Sequence, residues 1–245
     1  MQIAYIVSFI VLFIAQAFTT PTFLKTEIPH PCKKSLFWKM VCSTIFFATA
    51  VIAIISTGNH STFSTLMLVG FFCSWWGDFL LHVSSKPKFF VFGLIAFLLG
   101  HLFYISAYTV AMSRYFPEAS FIGIPEMIVY IVFICGALVG MNDLKFEFGD
   151  AYLPCIAYMC VIVLMVVKAY SFGIRIIAHG ATTQPVFTAV MLMLGALLFL
   201  LSDFTLSMLT FTKGIEKHGK LRNFNIWTYF FGQMCLALTI LFIAA

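Results

Sequence analysis

Two aspartates stand where an apolar chain has least reason to keep a charge. Asp78, in Gly77-Asp78-Phe79-Leu80-Leu81, lies near the end of the apolar run 65–83; Asp203, in Ser202-Asp203-Phe204-Thr205-Leu206, lies inside another run far downstream. In hydrocarbon a carboxylate costs on the order of a few kcal/mol or more, so such residues face a bundle interior and do work there. Paired in a low-dielectric pocket, two carboxyl groups titrate apart. One can hold a proton near neutral pH while the other stays ionised, which supplies an acid and a base from a single residue type. A counter-ion for a cationic headgroup or a relay for transported protons would use the same pair. Residue chemistry alone leaves these open.

Other polar groups share faces with the aspartates. Gly70, Ser74, Asp78 and His82 recur in steps of four and form one stripe of a helix. His101 and Tyr104 lie three apart in the next apolar run, Tyr229 and Gln233 four apart in the last, and Ser202 adjoins Asp203. His82 lies close enough to the cytosolic end of its span to snorkel toward headgroups; His101 lies deeper, and a hydrogen bond to a neighbouring helix is the alternative to a role in chemistry. Asp78, His82, His101 and Asp203 are potential metal ligands, but no HxxxH or HxxEH spacing is present, and no metal is expected. No nucleophile elbow, Walker loop or dinucleotide fingerprint occurs either, so water is the expected nucleophile and no cofactor is implied.

The elements that must position these groups follow from composition. Of 245 residues, 62% are hydrophobic and 9% charged, with a mean hydropathy of +1.04. A soluble domain carries roughly a quarter charged residues, so the fold class is all-α, a polytopic transmembrane helical bundle. Eight apolar runs approach the ~20 residues a span needs, at about 3–18, 36–57, 63–83, 89–112, 124–141, 149–170, 184–211 and 224–245. The linkers leave no room for a soluble domain, and 1–245 reads as a single transmembrane domain with its function in the bundle or at its mouth. Residues 1–17 end in Ala15-Gln16-Ala17 but lack a basic n-region, so a retained first span is expected rather than a signal peptide. Seven cysteines, mostly within spans and without a CxxC pair, read as small buried hydrophobes.

Charge orients the bundle. Odd-numbered loops carry Lys25, Lys33, Lys34, Lys39, Lys86, Lys88, Lys145, Lys213, Lys217, Lys220 and Arg222; even ones carry Arg114, Lys168 and Arg175. This bias puts odd loops in the cytosol. The Asn59-His60-Ser61 sequon falls in even loop two, consistent with a lumenal or extracellular side. Loop one, with Pro21, Pro29 and Pro31, reads as irregular, and loop six as the longer segment 171–184. The endoplasmic reticulum is the expected residence, the lipid bilayer the expected environment, and no nucleic-acid partner is implied.

A shift of 125 residues aligns Gly70 with Gly195, Asp78 with Asp203, Phe79 with Phe204, Leu81 with Leu206 and Tyr104 with Tyr229. Four spans separate the partners, so this reads as a parallel repeat of four spans plus four. Asp78 precedes Lys86 by eight residues and Asp203 precedes Lys213 by ten. At ~1.5 Å per residue both carboxylates lie about 12–15 Å inside the cytosolic boundary, a depth at which one pocket can hold both.

Gly77-Asp78-x-x-Leu81, His101-Leu102-x-Tyr104, Gly195-Ala196-Leu197-Leu198-Phe199-x-x-Ser202-Asp203 and Thr228-Tyr229-Phe230-x-x-Gln233 together resemble the lysoplasmalogenase (YhhN-like) family. The resemblance covers four spans, in the family's order. Phe230 stands where a second Tyr is common, Gly232 where Ala is common, and His82 where an aromatic is expected, departures that bear on substrate preference. The resemblance implies a membrane hydrolase that cleaves the vinyl ether of lysoplasmalogens to a fatty aldehyde and glycerophosphocholine or glycerophosphoethanolamine. Asp78 and Asp203 would divide the acid–base roles, with Ser74, His82, His101, Tyr104, Ser202, Tyr229 and Gln233 positioning water and the enol ether. Lys86, Lys88 and Lys213 would meet the lysophospholipid phosphate. A small transporter or lipid-binding protein, and a metal-dependent lipid amidase, are the alternatives.

Overall fold

The computed structural model describes residues 3–27, 32–215 and 219–245; Pro29, Pro31 and Lys217 lie outside them. The described residues form eight α-helices: α1 (Ile3–Glu27), α2 (Lys33–Thr57), α3 (Thr62–Val83), α4 (Pro87–Tyr115), α5 (Ile124–Asp143), α6 (Tyr152–His179), α7 (Pro185–Phe211) and α8 (Gly219–Thr239), with one 3₁₀ turn ahead of α6 (Gly149–Ala151). Seven of them, α1 to α7, are long and apolar enough to cross a membrane. Ile, Val and Phe side chains such as Ile10, Ile14, Val132 and Val139 stand exposed on their outer faces, as lipid contact requires. The eighth, α8, is diluted by Lys220, Arg222 and Asn225. It packs on α7, α2 and α1, and it turns Asn225, Thr228, Tyr229 and Gln233 inward. Its polarity belongs to the interior of the bundle.

Several boundaries differ from the sequence expectation. The first helix runs past 18 to Glu27 and takes in Pro21, so this part of loop one is helical. Thr19, Thr20, Thr22 and Thr26 donate back to the carbonyls of Ala15, Gln16, Phe18 and Thr22. Their hydroxyls are satisfied within the helix, which lets a threonine-rich stretch around a proline stay helical. Likewise α6 continues to His179, so Lys168 and Arg175 are helical. Lys168 is fully buried and pairs with Glu126 at 3.2 Å, while donating to the Phe121 carbonyl at 2.6 Å. That cluster ties the first turn of α5, a helix with no buried residue, to the middle of α6. At the other end of the chain α8 stops at Thr239, and Ile240 and Ile243 tuck into the core. The Asn59 amide holds this turn by donating to the carbonyls of Ile240 (2.9 Å) and Ile243 (2.7 Å).

The packing is two-fold. The pairs α1–α2, α2–α3 and α3–α4 recur as α5–α6, α6–α7 and α7–α8, and α4 on α6 recurs as α8 on α2. Small residues set the closest approaches. A Cβ on Gly100 would meet the Gly70 carbonyl oxygen at 3.1 Å, then Ser74 and Cys73; one on Gly232 would meet the Gly195 carbonyl oxygen at 3.0 Å, then Leu198 and Phe199. These neighbours correspond one for one at the 125-residue shift in α3 and α7. In α4 and α8, however, Gly100 corresponds to Gly232, a step of 132. The extra seven residues are two helical turns. The structural partner of Tyr104 is therefore Leu236 and not Tyr229, while Phe97 corresponds to Tyr229 and His101 to Gln233.

These contacts separate two kinds of glycine. Gly195→Ala drives a methyl into Leu236 and the Gly232 carbonyl and is expected to cost about 1–3 kcal/mol. Gly140, with open space around its Cβ direction, should accept alanine with no loss and a gain of up to about 1 kcal/mol. Thermal unfolding of the detergent-solubilised variants measures both.

Candidate active site

The two aspartates come from equivalent helices, α3 and α7, and open on one cavity of about 710 Å³. Most of its wall is apolar, built from residues such as Leu94, Phe97, Phe133, Met159 and Leu200. The polar groups on it include Asp78, Asp203, Lys39, Tyr158, Tyr229 and Ser202.

Asp78 is 2% exposed, and its donors come from two other helices. Ser43 Oγ on α2 (2.6 Å) and Tyr229 OH on α8 (2.7 Å) donate to Oδ2, while Lys39 Nζ, one turn before Ser43, lies 3.5 Å from Oδ1. Two hydroxyl donors and a cation are what a buried carboxylate anion needs. Tyr229 is held in turn by Gln233, whose Nε2 donates to the phenol at 3.5 Å, and Tyr104 OH donates to Gln233 Oε1 at 3.1 Å.

Asp203 has a different company. Tyr158 on α6 donates to its Oδ2 in a short hydrogen bond, and His101 Nε2 on α4 lies 2.8 Å from the same phenol and 3.9 Å from the carboxylate. A phenol has one proton. With that proton given to Asp203, Tyr158 accepts from His101, which fixes the proton of the ring on Nε2. His101 Nδ1 is buried without a hydrogen-bond partner among the described residues. No lysine or arginine pairs with Asp203 among them, and its side chain is 15% exposed, toward the cavity.

Of the other residues singled out by sequence, Ser202 lines the cavity and accepts from Asn225 Nδ2 at 2.9 Å. His82 also lines it, but it does not snorkel: it is buried against Phe23, with Nε2 2.8 Å from Ser35 Oγ and Nδ1 3.8 Å from Glu27. Ser74 is buried at the α3–α4 contact, and His101, Tyr104 and Gln233 stand behind the wall. Lys86, Lys88 and Lys213 are exposed and do not line the cavity; Lys213 pairs with Glu147 at 2.7 Å. The cations on the cavity are instead Lys39 and Arg222, with Glu27 beside them. Sequence reasoning passed over Lys39, Ser43, Tyr158, Glu27, Arg222 and Asn225 as site residues. Lys39 and Ser43 carried a usable signal, the same four-residue step inside an apolar run that singled out Ser74, Asp78 and His82. Among the described residues no three His, Cys, Asp or Glu side chains converge as a metal site would need.

The model of the YhhN family matches residues 34–240, from the first turn of α2 to the end of α8. The chain belongs to the YhhN family. That family includes lysoplasmalogenases. No curated protein and no solved structure matches the chain. The matched residues contain both aspartates and all of their hydrogen-bond partners; Glu27 lies before them.

The Lys39–Asp78 pair is testable apart from any activity. Lys39→Met leaves a carboxylate without its cation in the bundle and is expected to cost about 3–5 kcal/mol. Adding Asp78→Asn should recover most of that loss, a coupling that a double-mutant cycle on unfolding midpoints reads directly.

Proposed function

We propose that this YhhN-family protein is a membrane hydrolase that cleaves the vinyl ether bond of lysoplasmalogens, releasing a fatty aldehyde and a glycerophospho-base. One observation carries the reading: two aspartates in unlike environments open on a single, largely apolar cavity. Its volume, about 710 Å³, suits a single-chain lipid.

Vinyl ether hydrolysis needs an acid, an anion and a water. In the proposed sequence Asp203 enters protonated and gives its proton to the β-carbon of the enol ether. The π electrons form the new C–H bond, and positive charge is left shared between the α-carbon and the ether oxygen. Asp78, held as an anion by Lys39, Ser43 and Tyr229, stabilises that oxocarbenium ion. Water then adds to the α-carbon and returns a proton to Asp203. The resulting hemiacetal collapses: its hydroxyl becomes the aldehyde carbonyl, the bond to the glycerol oxygen breaks, and that oxygen takes up the released proton. His101 orients Tyr158, and Tyr158 orients Asp203. Tyr104 and Gln233 brace Tyr229. With odd loops cytosolic, the lipid enters from the cytosolic leaflet of the endoplasmic reticulum, tail first.

Aldehyde release from lysoplasmenyl lipids by the purified protein in detergent tests this. Wild type should turn over without a gradient and with strong chelators present. Asp78→Asn and Asp203→Asn should each lose about 10²-fold or more in kcat/KM. Absence of aldehyde from both choline and ethanolamine substrates overturns the hydrolase and turns attention to transport or lipid binding. Loss of aldehyde release with chelator overturns the metal-free acid–base sequence, and activity surviving in either variant removes the division of roles.

A further inference from the structure

The repeat is broken at one helix. α1 buries Phe9, Gln16, Thr20, Phe23 and Leu24 and packs on α2 and α8, while its counterpart α5 buries no residue and packs on α6. α5 and α7 both lean on α6, and the cavity runs into the gap between them. Val132, Phe133 and Gly136 on α5 and Leu201 and Phe204 on α7 line the cavity and are also exposed on the outside of the bundle. A Cβ on Gly136 would meet nothing within 4 Å, so this stretch of the wall is bare. The gap is closed at both ends. Toward the cytosolic ends of the helices, the Glu147 N–H donates to the Phe211 carbonyl at 2.8 Å, and the rings of Phe148 and Phe211 lie 4.7 Å apart. Toward the bilayer centre, Tyr130 and Ile134 of α5 and Leu200 of α7 pack against Met159, Val163 and Val167 of α6. Between these two closures a window is left in the side of the bundle, flanked on α7 by the residues around Asp203.

We propose that this window is the tail subsite: the hydrocarbon chain of a bound single-chain lipid leaves the cavity through it, between α5 and α7, and continues in the bilayer. The inference rests on the reading of the cavity as a lysophospholipid site, and depth carries it. Beyond the carboxylates the cavity ends within two turns, at Leu200, three residues from Asp203, and at Val163, five from Tyr158. At ~1.5 Å per residue these are about 4.5 and 7.5 Å. A chain that spans one leaflet of the ~30 Å hydrocarbon core needs about 15 Å. With the ether bond at the carboxylates and the phosphate toward the cytosolic end, the first carbons of the chain fill the inner cavity. The window gives the rest its way out. Chain atoms that pass through it exchange one hydrocarbon setting for another, so they add little to binding. The protein thus takes its lipid sideways from the leaflet and is indifferent to the length of the chain.

Binding of 1-acyl lysophosphatidylethanolamine, which has no vinyl ether, to the protein in dioleoyl phosphatidylcholine vesicles tests the window without turnover. With affinity expressed per mole fraction of lipid in the membrane, acyl chains from twelve to eighteen carbons should bind wild type alike, within about twofold. A closed pocket would impose a cut-off in length. Gly136→Trp places an indole in the window and should weaken binding of these lipids roughly tenfold. It should leave a hexanoyl analogue, whose chain ends inside the cavity, unaffected. Gly140→Trp, one turn along the same helix and off the cavity wall, is the control and should change neither. The length series in wild type stands whatever the fate of the variants. A length cut-off in wild type, long-chain binding that Gly136→Trp leaves intact, equal loss of long and short lipids by a folded Gly136→Trp, or binding of no lipid each overturns the tail subsite. Window-dependent binding in a protein that releases no aldehyde from lysoplasmenyl lipids keeps the subsite and removes the hydrolase; aldehyde release with a length cut-off does the reverse.

Discussion

A carboxylate shut away from water must find its donors in the protein, and Asp78 finds them on helices other than its own. Ser43 and Lys39 on α2 and Tyr229 on α8 converge on it. That need binds the packing of three helices to one side chain. It also accounts for α8, the least apolar helix of the eight. A helix carrying Asn225, Thr228, Tyr229 and Gln233 is costly against lipid. It is stable where α7 and α2 cover it and its polar groups serve Asp78, Ser202 and Tyr104. The close contact with α7 that this requires depends on Gly195 and Gly232, which leave the two backbones nothing to clear.

What was legible in the sequence was what periodicity and depth encode. Apolar runs of span length located seven helices of bilayer length, and the residue counts from Asp78 and Asp203 to their following lysines placed both carboxylates at one level, where one cavity holds them. Hydropathy was a poor guide to helix ends. A threonine bonded to its own helix looks like loop to it, which is why α1 runs nine residues further than its apolar run; α6 also runs nine residues further, through Arg175. Partners across helices were the least legible. Tyr158 sits in an apolar run with no charge nearby in sequence, and only the approach of α6 to α7 gives its hydroxyl to Asp203. In sequence Lys39 reads as one more cytosolic lysine, because nothing in its own helix says that α3 presents a carboxylate to it.

The repeat and the asymmetry of the site belong to one explanation. Each aspartate draws partners from the helix before its own and from the helix that closes the other half: Asp78 from α2 and α8, Asp203 from α6 and α4. The four-helix shift turns one set into the other. A symmetric frame of this kind delivers two carboxylates at matching depth with no further design. The two carboxyl groups nevertheless differ, and the difference lies in the partners. On α8 the pair Tyr229 and Gln233 meets Asp78 through its first member; on α4 the corresponding pair, Phe97 and His101, meets Asp203 through its second.

Phe97 and Tyr229, equivalent in the two halves, pack edge to face with ring centroids 5.9 Å apart. Equivalent residues in contact lie beside the axis that relates the halves, so the partition between the two networks runs through these rings. Phe199 closes the same cluster, 5.3 Å from Tyr229 and 4.6 Å from His101. These rings separate the side chains of the two networks on the protein side, while both carboxyl groups open on the shared cavity. Two carboxyl groups that share a cavity thus stand in unlike surroundings, each with its own donors. Asp78 answers to Lys39, Ser43 and Tyr229; Asp203 answers to a phenol and an imidazole. The chemical asymmetry of the cavity thus arises from different residues at a few equivalent positions of two halves whose helices pack in the same order.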